Sequence, residues 1–257
     1  MEQLHHELWI THAVNAVFGS VAAAILRALG RDVAPGAQVI PDYIAMLIVI
    51  TLALTVMALI VRSRLSVERP GAFQIVLEDF VGFFNGMLDD LIGPKGRRYL
   101  PLVASVFLLI WVSNMSGLVP GLMAPTSNLN VPLGCAITVW VYYHLQGIRE
   151  QGLLSYIGHF FFAPGAPKVM AVIMGPIEII SHLSRVLSLS LRLFGNVFGE
   201  EMVILILASI IPFIVPLPMM FLGVVTGTLQ AAIFAILTMI YLGGAVAVEH
   251  HDHGEAH

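Results

Sequence analysis

The sequence predicts an all-α polytopic membrane protein, with about five transmembrane helices and one amphipathic helix. Three observations lead there. Hydrophobic residues make up 58% of the 257 and charged ones 11%, with a mean hydropathy of +0.90; a soluble domain of this length has no use for so much apolar surface. Apolar stretches close to the ~20 residues that span a bilayer recur along the chain. Lysines and arginines collect in alternate connections, as they do between membrane spans.

Taken in order, residues 1–40 read as an N-terminal arm, extracytoplasmic or interfacial. Its acidic start is expected to be retained, since a secretory signal begins basic. The piece 13–29 is apolar but short and carries Arg27, so an interfacial helix is expected there, ended by Pro35, Gly36 and Pro41. A single membrane domain follows over 41–248, with spans expected at 43–61, 99–119, 131–148, 170–211 and 217–248. Between the first two, 72–92 sets Glu78, Asp79, Asp89 and Asp90 among phenylalanines and leucines. That is the pattern of an amphipathic helix lying on the membrane or partly in it. The apolar piece 153–162 is too short to cross and reads as an interfacial or re-entrant turn. A polar tail, 249–257, closes the chain.

The positive charges orient these spans. Loops 62–69, 95–98 and 149–168 carry several Lys or Arg, whereas 120–132 and 211–218 carry none. Positively charged loops stay in the cytoplasm, so the N-terminus is expected outside and the C-terminus inside. Arg27 and Arg31 depart from that pattern.

The last two spans are too long to cross upright. From Pro176, a favourable first-turn residue, to residue 211 a helix would measure ~52 Å, and 217–248 would measure ~48 Å; the hydrocarbon core is ~30 Å thick. They must tilt, kink or protrude. Glu178, Arg185, Arg192 and Gly199 recur every seven residues along one stripe, joined by Ser181, Ser188 and Asn196. Arg192 lies deepest. A guanidinium at mid-membrane costs ~2.5–3.5 kcal/mol on insertion scales and cannot shed its charge, so it needs water, an anionic partner, or both. Gly223, Thr226, Gly227 and Gln230 share a small, polar face on the last helix. That face could meet the Arg192 stripe, with Gln230 as a hydrogen-bond partner. Glu200 and Glu201 lie off that stripe, Glu201 being about half a turn out of phase with Arg192 and ~13 Å along the axis. Glu178 on one side of Arg192 and Glu201 on the other point to two aqueous approaches that do not connect. Intramembrane acids of this kind mark proton relays or ion paths. His182 is the histidine clearly placed inside a span.

Other chemistries are excluded by what the sequence lacks. One cysteine, Cys135, allows no internal disulfide, and a net charge of −4 implies no nucleic-acid partner. There is no His-Glu-x-x-His, no Gly-x-Ser-x-Gly and no P-loop, so neither a metal centre, a catalytic residue nor direct nucleotide binding is expected, and no cofactor. The histidines at the two ends read as solvated tails.

The string Ser190-Leu-Arg-Leu-Phe-Gly-Asn196 resembles subunit a of the rotary F-type ATP synthases. Supporting matches are Glu201, Thr228-Leu-Gln-Ala-Ala-Ile-Phe234, Pro125-Thr-Ser-Asn-Leu-Asn130 and Val215-Pro-Leu-Pro218. The likeness covers roughly 40–250. It implies a non-nucleotide-binding stator subunit of a proton-translocating complex in a bacterial plasma (inner) membrane. Its partners would be the c-subunit ring, the b-subunit stalk and the remaining ATP synthase subunits. Arg192 would face the ring carboxylate, Glu201 would serve an outer half-channel with Glu200 beside it, and Asn196 and Gln230 would flank the arginine. Glu178 would lie on the cytoplasmic half-channel side. Asn128 stands where relatives often have Asp, and Gly223 where some have His. The alternative reading is a proton-coupled secondary transporter that binds an anion at Arg192; the lack of an internal repeat speaks against it.

Overall fold

The computed structural model describes residues 9–28, 39–66, 70–119, 121–152, 156, 171–210, 214 and 216–246. Seven α-helices appear among them: α1 (Trp9–Ala28), α2 (Asp42–Arg64), α3 (Ala72–Ile92), α4 (Leu100–Ser116), α5 (Asn130–Gln151), α6 (Ala171–Ile210) and α7 (Pro216–Val246). Two 3₁₀ turns, Pro94–Tyr99 and Pro125–Ser127, lead into α4 and α5. No strand occurs among the described residues. The apolar piece at 153–162, apart from Tyr156, lies outside them, as do the tail 249–257 and half of the 211–218 connection.

Five helical stretches are long and apolar enough to cross a membrane: Trp9–Ala28, Asp42–Arg64, Pro94–Ser116, Gly175–Ile210 and Pro216–Val246. This set differs from the expected spans in two members. α1 qualifies, although a short interfacial helix was expected. It extends four residues earlier, to Trp9, and docks on α2: the Thr11 hydroxyl donates to Asp42 at 2.5 Å, and Asn15 exchanges two hydrogen bonds with the Ile40 backbone. Ile10, Val14, Ile40, Ala45 and Met46 close a small core beneath those bonds. α5 forms over the expected 131–148 but falls outside the five, because its tyrosines, His144 and Gln146 dilute its apolar character.

α3 occupies the expected amphipathic stretch. Phe84 and Leu88 are buried on one side, while Glu78, Asp79 and Asp90 are exposed on the other. Phe80 and Phe84 meet Phe107 of α4 at 5.5 and 5.3 Å between ring centres. Gly93, with φ of 88°, ends α3 in a backbone region that favours glycine. The chain then turns so that Arg97 clasps Asp89 with both Nε and Nη2.

The main core gathers around α7. Gly223, Gly227, Ala231 and Ala235 lie four apart and are buried, so neighbours approach its backbone closely. Phe234, Thr238, Met239 and Leu242 extend that buried side against Val103 and Ile110 of α4, Val139 and Tyr143 of α5, and Leu189 and Leu193 of α6. α6 begins at Ala171, so Pro176 lies inside the helix and not in its first turn. At 40 and 31 residues, α6 and α7 measure ~60 and ~46 Å along their axes.

Candidate functional site

The hairpin of α6 and α7 carries the candidate residues, and α6 has two distinct ends. Its first half lies beside the last turns of α5, whose Glu150 pairs at 2.7 Å with Arg98 of the turn before α4; we call this the basic end. Its second half lies beside the Pro125–Ser127 turn, at the loop end.

At the basic end a cavity of about 380 Å³ is lined by Glu178, His182 and Arg185 of α6, Tyr143 and Gln151 of α5, Tyr156, and Tyr241 of α7. Its polar groups are engaged with one another. The Tyr143 hydroxyl lies 2.8 Å from His182 Nδ1, and His182 Nε2 lies 3.2 Å from Glu178. The Arg185 guanidinium stands 5.3 Å over the Tyr241 ring, a geometry in which the ring face attracts a cation. Gln151 donates to the Ala245 carbonyl at 3.0 Å and ties α5 to the end of α7.

Past Arg185 the cavity narrows to a space of about 10 Å³ that reaches Val186 and Leu189. Leu189, Ser190 and Leu193 are buried in the main core, and the Ser190 hydroxyl is spent on the Val186 carbonyl of its own helix. Arg192 and Ser188 point the other way, onto the outer face of the hairpin, where both are exposed. Among the described residues Arg192 makes no hydrogen bond or ion pair. Apart from Asn196, one turn on, its face is apolar or small. Leu187 and Leu191 are more than half exposed beside it, and Gly195 and Gly199 open onto empty space, with nothing within 4 Å of an added Cβ. This permanent cation has no counter-charge among the described residues.

At the loop end the two neighbouring acids diverge. Glu200 turns to α7, where the Thr226 hydroxyl donates to it at 3.1 Å. Its carboxylate fills the space above Gly223, so a Cβ there would collide with it. Asn196, Glu200, Met219, Leu222 and Thr226 line a second cavity of about 170 Å³. Glu201 points to the other side. It accepts the Ala124 backbone N–H at 3.1 Å and packs against Gly117, anchoring the segment that follows α4.

Asn196 joins the two helices by donating to Gln230 at 3.0 Å. Gln230 therefore pairs with Asn196, and not with Arg192. Its own Nε2 is buried without a protein acceptor among the described residues. The shared face expected on α7 is divided. Gly223, Thr226 and Gln230 meet α6, whereas Gly227 meets α4, where Asn114 donates to its carbonyl at 3.1 Å and Met115 packs on it. Asn114 also accepts from Thr126 at 2.7 Å, and Trp111 donates to Thr228 at 3.0 Å. These bonds satisfy polar groups in an apolar interior.

Sequence reasoning missed Tyr143, Gln151, Tyr156 and Tyr241. A signal for the first existed, since Tyr142-Tyr143-His144 interrupts an apolar run in α5. Nothing marks which helix those rings face.

The family model described as ATP synthase A chain matches residues 43–243. The chain is 48% identical over 185 residues to the ATP synthase subunit a of Aliarcobacter butzleri, covering 72% of this chain and 80% of that one. It is 41% identical over 206 residues to the ATP synthase subunit a of Campylobacter concisus, covering 79% and 89%. With the ATP synthase subunit a 1 of Syntrophotalea carbinolica it shares 43% over 201 residues, covering 78% and 84%.

Proposed function

This chain belongs to the ATP synthase A chain family, and from that footing we propose that its two cavities are offset half-channels separated by Arg192. It is an ion-translocating stator subunit of an F-type ATP synthase, a multi-pass membrane protein that works within the complex and does not itself catalyse nucleotide chemistry. That membership replaces the transporter reading.

One observation carries the proposal. The basic-end and loop-end cavities share no lining residue. Arg185 at the limit of one and Asn196 in the other stand ~16 Å apart along α6, with the buried Leu189 and Leu193 between them. Among the described residues, the narrow extension of the basic-end cavity reaches Leu189 and does not reach Asn196. The link is supplied by a partner that presents a carboxylate to Arg192 on the open face. That partner is the c-subunit ring, and its helices fit against Ser188, Gly195 and Gly199. The b-subunit stalk and other subunits hold the chain still.

A proton arriving through one cavity neutralises a ring carboxylate, which can then face lipid. After the ring has turned, the same carboxyl meets the other cavity and loses its proton. Arg192 attracts the ionised carboxylate and so favours that form opposite it, and it repels a cation crossing directly. Each charge moved gains ~2.3 kcal/mol per 100 mV. Glu200, lining the loop-end cavity, is the acid nearer to Asn196; Glu201 stands on the side of the connecting segment. Glu178, His182 and Arg185 line the basic-end path. The positive-inside pattern places that end in the cytoplasm, with the N-terminus outside, in the plasma (inner) membrane of a bacterium.

The test is Arg192→Ala in the assembled complex. ATP synthesis and ATP-driven proton pumping are both expected to vanish while the complex still assembles. Pumping that persists in Arg192→Ala vesicles overturns the reading.

A further inference from the structure

His182 is held between two partners from different helices. Its Nδ1 is 2.8 Å from the Tyr143 hydroxyl of α5, and its Nε2 is 3.2 Å from Glu178, one turn earlier on α6. An ionised carboxylate can only accept. In the neutral ring Nε2 therefore carries the hydrogen, Nδ1 is bare, and the Tyr143 hydroxyl donates to it. Tyr143 has little freedom to do otherwise: it is 3% exposed and packed into the main core, with its ring 6.2 Å from Tyr241 and 4.4 Å from His144.

We propose that Tyr143 is a positioning residue that fixes His182 Nε2 toward Glu178 and joins the three groups into a proton relay along the wall of the basic-end cavity. The proposal rests on the reading of that cavity as an ion path. Each step balances. Tyr143 passes its hydroxyl proton to Nδ1 and takes one from a hydronium ion in the cavity, which is left as water, while Nε2 releases its proton to the Glu178 carboxylate. The hydroxyl is restored, the imidazole ends neutral with its hydrogen on Nδ1, and Glu178 ends as the neutral acid; one proton has moved from hydronium to Glu178. Once Glu178 has passed that proton on, exchange of the ring hydrogen from Nδ1 to Nε2 through water restores the start. Among the described residues, the charged and titratable groups around His182 are His144, edge-on at 4.9 Å, and Tyr143 from α5, Glu178 and Arg185 from its own helix, Tyr156, and Tyr241 from α7.

Tyr143→Phe keeps the ring and removes only the O–H. In the complete ATP synthase in inverted vesicles, ATP-driven pumping is expected to slow about fivefold, the factor that one ordinary hydrogen bond corresponds to, with a displaced pH profile. In a His182→Gln background Tyr143→Phe should add nothing, because the group it positions is gone. His182→Gln leaves Tyr143 packed and should show a similar loss by itself. A Tyr143→Phe complex that pumps with the parent's rate and pH profile overturns the relay, as do two substitutions whose effects multiply. Arg192→Ala run in parallel separates the claims. If it abolishes pumping while Tyr143→Phe is silent, only the relay fails; if it still pumps, the ion-path reading fails.

Discussion

Asn196 and Gln230 bridge the two long helices one turn past Arg192, with the Asn196 amide donating at 3.0 Å to a Gln230 side chain that is 2% exposed. The bond sets the register of α7 against α6 at the height of the arginine. It also sits where the buried part of the hairpin gives way to the loop-end cavity, which Asn196 lines.

Gln230→Leu separates register from stability. It removes the acceptor of Asn196, and it also removes a buried Nε2 with no protein acceptor. Losing a hydrogen bond costs about 0.5–1.5 kcal/mol, whereas an unsatisfied buried amide costs about 1–3 kcal/mol. The two offset, so the complex should assemble with an undiminished thermal midpoint while ATP-driven pumping falls severalfold. Pumping at the parent rate would show that the bridge does not hold Arg192 in place.

At Gly223 the constraint is steric. A Cβ there meets the Glu200 carboxylate, and the Leu118 side chain lies 2.9 Å away. Gly223→Ala therefore drives Glu200 off Thr226 and out of the loop-end cavity. Pumping should drop more than assembly does. Glu200→Asp, which withdraws the carboxylate by one methylene, should restore part of the loss in the Gly223→Ala background. A Gly223→Ala complex with parental pumping would mean that Glu200 needs no fixed position.

These residues show what was legible in the sequence. The excess length of α6 and α7 followed from helical periodicity and bilayer thickness and stands in the fold, whereas the stripe through Arg192 is divided, with Glu178 and Arg185 lining the basic-end cavity and Arg192 exposed on the outer face. Periodicity groups residues on a face but does not name the neighbour. It put Gly223, Gly227 and Gln230 together, yet α7 is buried on two sides, and Gly227 turns to Asn114 while Gln230 turns to Asn196. Glu200 and Glu201 are adjacent and chemically identical, so only the ~100° step between them, set against actual neighbours, sends one to Thr226 and the other to Ala124. The Tyr143–His182 bond spans 39 positions, a separation at which local pattern carries no information.

The Asp89–Arg97 pair gives a pH expectation away from both cavities. The Arg97 hydrogen bonds at 3.0 and 2.6 Å hold the Asp89 carboxyl below its ordinary 3.8. A lowered carboxyl contributes stability that is complete above its unfolded value and is lost as pH falls through the folded one. The thermal midpoint of Asp89→Asn should therefore lie slightly below the parent's by a constant amount from about pH 9 to about pH 5, and the gap should close below about pH 4. Both groups face solvent, so the gap is small and should shrink further in high salt. A gap that changes near neutral pH would assign it to some other group.

Arg192→Lys tests why a guanidinium stands on the open face. Both side chains carry one positive charge in water, but only lysine can lose its proton when water is removed. Here the surroundings are Leu187, Leu191 and two open glycines, which a docked helix would dry. A lysine that discharges there no longer repels a cation, and it no longer favours the ionised form of the carboxylate opposite. Arg192→Lys complexes should therefore fail in ATP synthesis, and their vesicles should leak protons in the absence of ATP, more so as pH rises and the amine discharges. The leak is read from the decay of an imposed pH gradient. Parental synthesis with a tight membrane would mean that any cation suffices, and that the dryness of this face has no part in the mechanism.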